Sequence, residues 1–211
     1  MRAAFTAAVL SLAVLAPAAA LAQGAPTQPP GKVDAARVQA GSYNADPEHT
    51  LVAFTVDHMG FNNYYGLFGG ATGVLTLDPK NLAASKVAVT IPLSRLTVAN
   101  DQLKTHMSGK DFFEVSAFPT ATFTSTKITR TGPNTARIAG DLVVKGKSAP
   151  VTLEARFTGA GKGPMGAHAD TVGFEATGSV MRTALGIGYG VPMVSDKVDL
   201  KITAAFERKP G

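Results

Sequence analysis

From residue 41 to the end of the chain, apolar and polar residues alternate with period two. Val52, Phe54, Val56 and His58 alternate with Ala53, Thr55 and Asp57. The same pattern runs through residues 87–93, 151–157, 174–180 and 198–206. Each segment reads as a strand with one apolar face, and most have a polar face opposite. Residues 42–45, 121–128 and 137–145 are weaker strand candidates. Turn chemistry separates them at Asp78-Pro79-Lys80-Asn81, Gly132-Pro133-Asn134 and Lys145-Gly146-Lys147. Residues 100–107 alone read as a helix, with Asn100 as its N-cap. The predicted fold class is all-β and antiparallel.

One stretch turns this expectation towards a barrel. Residues 64–78 form a 15-residue strand-like run without proline. Straight, such a run would span roughly 50 Å, far beyond an ordinary strand. Gly66, Gly69, Gly70 and Gly73 lie inside it and allow it to coil sharply. A long strand shared between two sides closes a small barrel of about eight strands. The interior of such a barrel either fills with side chains or holds one small ligand.

The first 40 residues have a different character. Arg2 precedes an apolar run over residues 5–16, interrupted by Thr6 and Ser11. Pro17 follows, then Ala20-Leu21-Ala22, a small-x-small cleavage pattern. Residues 1–22 therefore read as a Sec-type signal peptide cut after Ala22, with the periplasm as the expected destination. The run is too short for a membrane anchor, which needs about 20 residues to cross ~30 Å of hydrocarbon. Residues 23–40 are punctuated by Gly24, Pro26, Pro29, Pro30 and Gly31 and read as a flexible arm. A short helix over residues 33–38 is the alternative there. The folded domain then covers residues 41–211.

Composition removes whole classes of function. The chain of 211 residues is 45% hydrophobic, enough to fill a core and to exclude wholesale disorder. It has no cysteine, which excludes disulfide scaffolds, cysteine-ligated zinc, iron–sulfur clusters, thiol catalysis and a lipoprotein anchor. The net charge of +5 comes from scattered residues, which argues against a nucleic-acid partner. His49, His58, His106 and His168 are too dispersed for a metal motif. There is no G-x-S-x-G elbow, and Gly186-Ile187-Gly188-Tyr189-Gly190 lacks the Lys-Ser/Thr ending of a phosphate loop. That tract reads instead as a mobile loop at the lip of the barrel. No catalytic residue, no metal and no cofactor is expected.

A set of ordered segments is similar to one known family. His58-Met59-Gly60-Phe61, Tyr65-Gly66-Leu67-Phe68 and Gly73-Val74-Leu75 resemble the opening signature of the YceI-like family. His106, Asp111-Phe112-Phe113 and the run from Phe118 through Phe123 to Thr126 resemble its central block. Gly140-Asp141-Leu142-Val143-Val144-Lys145-Gly146 with Pro150-Val151-Thr152-Leu153 resembles a third block. Gly173-Phe174-Glu175-Ala176 and Ser195-Asp196-Lys197-Val198 resemble the closing ones. The resemblance covers essentially all of residues 41–211. It implies a lipocalin-like antiparallel barrel, secreted or periplasmic, with an apolar tunnel for polyisoprenoid or quinone-type lipids. One segment departs from it: Arg182-Thr183-Ala184-Leu185-Gly186 stands where many members carry R-x-D-F-G.

The apolar faces and the resemblance together mark a ligand-binding set. It comprises Phe54, Val56, His58, Phe61, Tyr65, Phe68, Leu75 and Val89. It continues with Phe112, Phe113, Phe118, Phe123, Leu142, Leu153, Phe157 and Phe174. Arg182, Leu185, Ile187 and Tyr189 complete it. The phenylalanines at 112, 113, 118 and 123 read either as gate and wall of a tunnel or as core under the helix. Arg182 continues an apolar face, so it meets a ligand head group or else reaches solvent or a carboxylate at the strand end.

The leading expectation is a lipid carrier or sequestering protein. The alternatives are an outer-membrane barrel with a structural role, and an enzyme using His58, His106 or Arg182 on a bound lipid. A homodimer through an exposed edge strand and transient contact with membranes are compatible with the pattern.

Overall fold

The computed structural model describes residues 28–163 and 169–208. The expected signal peptide, residues 23–27 of the arm, and His168 lie outside the described residues.

Period-two patterning becomes strand after strand. In β9 (Lys147–Lys162), Ala149, Val151, Leu153, Ala155 and Phe157 are buried, while Ser148, Pro150, Thr152, Glu154 and Arg156 between them are exposed. The other strands are β1 (Gly41–Ala45), β2 (Leu51–His58), β3 (Asn62–Phe68), β4 (Thr72–Leu77), β5 (Lys86–Pro92), β6 (Leu96–Thr97), β7 (Thr120–Arg130), β8 (Thr135–Val144), β10 (Asp170–Met181) and β11 (Lys197–Arg208). Among the described residues one α-helix, α1 (Asp101–Ser108), follows β6. The side chain of Asn100 accepts a hydrogen bond from the Leu103 amide, so the expected N-cap is formed.

The sheet closes on itself. β1 and β2 are halves of one bent strand, as are β3 and β4, and β5 and β6. Counted that way, eight antiparallel strands form a ring. Closure is made by β11, which pairs with β2 from Asp199↔Thr55 to Thr203↔Leu51 and with β1 from Ala45↔Phe206 to Tyr43↔Arg208. The glycine-rich run does bend: it breaks between β3 and β4 at Gly69-Gly70-Ala71. Gly70 has φ 74°, a left-handed conformation that a residue with a Cβ adopts at a cost. At Gly73 a Cβ would collide with the Ala88 carbonyl, so β4 can lie hard against β5 only with glycine there.

The outside of the ring is charged in mid-strand. Arg137 faces Glu154 across β8 and β9 at 2.6 Å, and Arg156 faces Glu175 across β9 and β10 at 2.7 Å. A transmembrane barrel presents an apolar band at these positions, so the membrane-barrel alternative finds no support in this surface.

Inside, two buried clusters divide the barrel. One, towards α1, gathers Phe54, Phe68, Phe123, Leu153 and Leu185. The other, at the opposite end, gathers Tyr43, Leu75, Leu77, Phe157, Val172 and Phe206.

The described part of the arm makes specific contacts with the barrel. From Pro30 to Gln39 it touches the barrel, with a 3₁₀ turn at Ala35–Arg37 and a β-bridge between Lys32 and Ala160. The side chain of Asp34 caps that turn.

Candidate functional site

A cavity of about 950 Å³ occupies the barrel axis. That is at the upper end of the range for small-molecule sites. Its lining reaches from α1 and residues 187–194 at one end to Ala35, Val38, Pro79, Leu82 and residues 130–136 at the other. The walls are overwhelmingly apolar, built from inward positions of every strand pair described above.

Its shape depends on where rings lie across glycines. A Cβ at Gly66 would collide with the Phe54 ring, and one at Gly140 would come within 2.5 Å of the Phe123 ring. These glycines of β3 and β8 let two aromatic walls lie flat on the sheet, leaving the axis open. Phe68 sits between Phe54 (ring centroids 5.8 Å) and Phe113 (5.3 Å, edge to face). At the far end Phe157 meets Phe174 at 5.8 Å.

At the helix end, three rings form a rim. His106 of α1 lies 5.1 Å from Phe112 and 5.0 Å from Tyr189, and Phe112 lies 5.4 Å from Tyr189. The His106 Nε2 is 3.0 Å from an Asp111 carboxylate oxygen, which fixes the imidazole on the rim. Exposed Met59 and Met193 continue this edge, joined by a 2.7 Å hydrogen bond from the Met59 amide to the Met193 carbonyl.

Arg182 lines the cavity and does not end in solvent. It is 6% exposed, and its hydrogen bonds among the described residues all go to backbone carbonyls. Its Nε donates to the Ser195 carbonyl (2.9 Å), Nη1 to the carbonyls of Ile187 (3.0 Å) and Tyr189 (2.8 Å), and Nη2 to that of Val194 (2.8 Å). Burial pushes its pKa below the usual arginine value, and Asp196 acts in the opposite sense. Asp196 itself is held by Thr183, through the amide (2.8 Å) and the hydroxyl (2.7 Å). The guanidinium is thus the hub of the 187–195 loop. The glycine-rich tract expected to be a mobile lip is tied down at its carbonyls.

Of the twenty candidate residues, Phe61, Tyr65 and Phe118 lie outside the cavity lining, and the rest are in it. Phe61 is on the tip between β2 and β3 and is 86% exposed. Tyr65 is 65% exposed because β3 turns its odd positions outward. Phe118 packs outside against the Gly146 turn. The inward tyrosine is Tyr64, paired across the sheet with Val56 and sharing the parity of Phe68. Its hydroxyl is buried and has no hydrogen-bond partner among the described residues. Sequence reasoning passed over Tyr64, yet the signal was present. Two residues of one strand three apart, Tyr65 and Phe68, cannot both face inward when the period is two.

His58 lines the cavity, His106 stands on its rim, and His49 pairs with Asp46 elsewhere. No group of three or more His, Asp or Glu side chains that could hold a metal occurs among the described residues.

Comparison with known proteins agrees with this architecture. A YceI-like domain matches residues 43–206. The chain belongs to the YceI-like family. It is 37% identical to Protein YceI of Escherichia coli O157:H7 over 166 residues, 78% of this chain and 85% of that protein. It is 35% identical over 163 residues to a UPF0312 protein of Yersinia pestis, covering 76% of this chain and 83% of that protein. Among solved structures, BcnA of Burkholderia cenocepacia superposes with a TM-score of 0.64 at 25% identity, over 74% of this chain and 95% of that one. A polyisoprenoid binding domain from Saccharophagus degradans shares the fold at 11% identity, with a TM-score of 0.62 over 81% of this chain and 100% of that one.

Proposed function

We propose that the protein is an exported, periplasmic lipid-binding protein that encloses a polyisoprenoid or quinone-type amphiphile in its barrel. It carries or sequesters that lipid and performs no chemistry on it. The single observation that carries this reading is the continuous apolar cavity of about 950 Å³ along the barrel axis.

The energetics fit such a ligand. Burying a methylene is worth ~0.8 kcal/mol, so one five-carbon isoprene unit is worth roughly 3–4 kcal/mol. A few units exceed the association cost of about 4–15 kcal/mol. Flexible methyl-branched chains match walls made of flat rings and Val, Leu and Ile side chains. The unpaired Tyr64 hydroxyl favours an amphiphile over a plain hydrocarbon, because a buried donor without a partner costs about 1–3 kcal/mol and a ligand oxygen would relieve it. The fold shared with the Saccharophagus domain described as polyisoprenoid binding supports the same class.

The test is native and denaturing mass spectrometry of the mature protein, purified from the periplasm without detergent. A bound species of defined mass that extracts into organic solvent and carries prenyl repeats is the expected result. Apo protein that also fails to take up added isoprenoid quinones would overturn the reading. The same mass reports the cleavage position expected after Ala22.

A further inference from the structure

We propose that residues 30–38 are the end stop of the tunnel and set the longest chain the barrel accepts. This rests on the lipid reading above and concerns its length specificity.

The strand that receives the arm is built for it. β8 pairs with β9 only as far as Thr135↔Arg156, but β9 continues to Lys162. Past Phe157, whose amide still donates to the Asn134 carbonyl at 2.8 Å, that leaves an open edge beside residues 158–162. The arm fills part of it: the Lys32 amide donates to the Ala160 carbonyl at 3.1 Å, and the Ala160 amide donates to the Lys32 carbonyl at 2.9 Å. Glycines flank the contact. A Cβ at Gly161 would collide with the Pro30 carbonyl oxygen, and one at Gly159 would come within 3.4 Å of the Lys32 nitrogen. Side chains fasten the rest. Arg37 donates to the carbonyls of Pro30 and Ala160 at 3.1 and 3.3 Å. The Tyr43 hydroxyl donates to the Gln39 carbonyl at 2.6 Å, and Arg208 holds the Gln39 side chain.

The fastened arm faces the tunnel. Ala35 and Val38 belong to the cavity lining, and Val38 packs with Leu82 against the far cluster around Tyr43 and Phe157. A chain that outgrows the cavity at this end meets the arm. It must then displace these two residues and break the bridge to Ala160, or leave its terminus unburied.

The experiment uses the whole mature chain and two point variants. Gly161→Val places a β-favouring side chain opposite Thr171 in the β9–β10 ladder and denies the arm its seat. Ala35→Phe leaves the seat intact and thickens the stop. Each protein is incubated with a ladder of isoprenoid quinones differing by one prenyl unit. Native mass spectrometry reads the longest member retained, and hydrogen exchange reads residues 28–38. In Gly161→Val, arm exchange should rise by at least about tenfold and the longest retained chain should grow by one unit or more. In Ala35→Phe, exchange should stay at the wild-type rate and the longest chain should shorten. An arm freed in the first variant with no change in the ladder overturns the end stop, as does an unchanged ladder in the second. Failure of the lipid reading looks different: the wild-type protein then retains no member of any length, and both claims fall.

Discussion

Each end of the barrel is fastened by an arginine on backbone carbonyls, and the two fastenings differ in kind. At the helix end Arg182 is buried and holds four carbonyls of its own loop. At the arm end Arg37 is exposed and holds two, one of them on β9. The first is a solvent-excluded charge whose removal orphans its partners. The second competes with water at every moment. The difference assigns the ends different tasks: a rigid, aromatic-rimmed mouth at α1 and a detachable strap at residues 30–38.

The largest effect should come from exchanging these fastenings for apolar side chains. Arg182→Met leaves four carbonyls without donors and should lower stability by about 3–5 kcal/mol, read by urea unfolding. Arg37→Ala should cost under about 1 kcal/mol globally, while hydrogen exchange of residues 28–38 accelerates. Equal losses from the two variants would erase the distinction between the ends.

Tyr64→Phe sharpens the mouth side of the comparison. It deletes a buried hydroxyl that has no partner among the described residues, so the empty barrel should be unchanged or stabilised by up to about 1–3 kcal/mol. Retention of an oxygen-bearing quinone should fall several-fold while retention of a plain prenyl hydrocarbon holds. Thermal melts of empty and loaded protein check both halves. Destabilisation of the empty form would mean the hydroxyl has a partner after all.

The smallest effect lies at the bend between β1 and β2, away from both mouths. Hydrogen bonding to Asp46 raises the pKa of exposed His49 above 6.5, with the Nδ1–Oδ2 distance at 2.5 Å. Burial raises the Asp46 pKa, but the hydrogen bonds from His49 and the Glu48 amide outweigh it and leave that pKa below 3.8. The His49 contribution is therefore fully present below pH 6.5 and fades as pH rises through the raised value. Asp46 contributes above pH 3.8, and its share fades as pH falls through the lowered value. His49→Gln should flatten a slight decline in melting temperature on the alkaline side and leave both ends of the barrel alone.

Alternation carried most of the fold. Ala149 to Phe157 named their own inward face, and the glycines from Gly66 to Gly73 announced the shared, bent strand. Three things were less legible, each for a physical reason. Choosing Tyr65 over Tyr64 was a slip of one residue, which in a strand inverts the face. The loop-holding role of Arg182 was hidden because its partners are carbonyls, which every residue carries and no motif displays. The arm looked loose because its own residues are polar and proline-rich. The sign of its docking sits on the other side of the contact, in Gly159 and Gly161 of a strand more than a hundred residues away.

The open axis of this barrel has a consequence for the protein's life in the cell. Close packing is what holds most small domains together, and here the centre forgoes it. On the lipid reading, whatever fills that space adds to stability by mass action, in proportion to the logarithm of free ligand over its dissociation constant. Empty molecules would open more often and be cleared first by proteases. The standing amount of this protein would then rise and fall with the supply of its cargo, without any change in the rate of its synthesis.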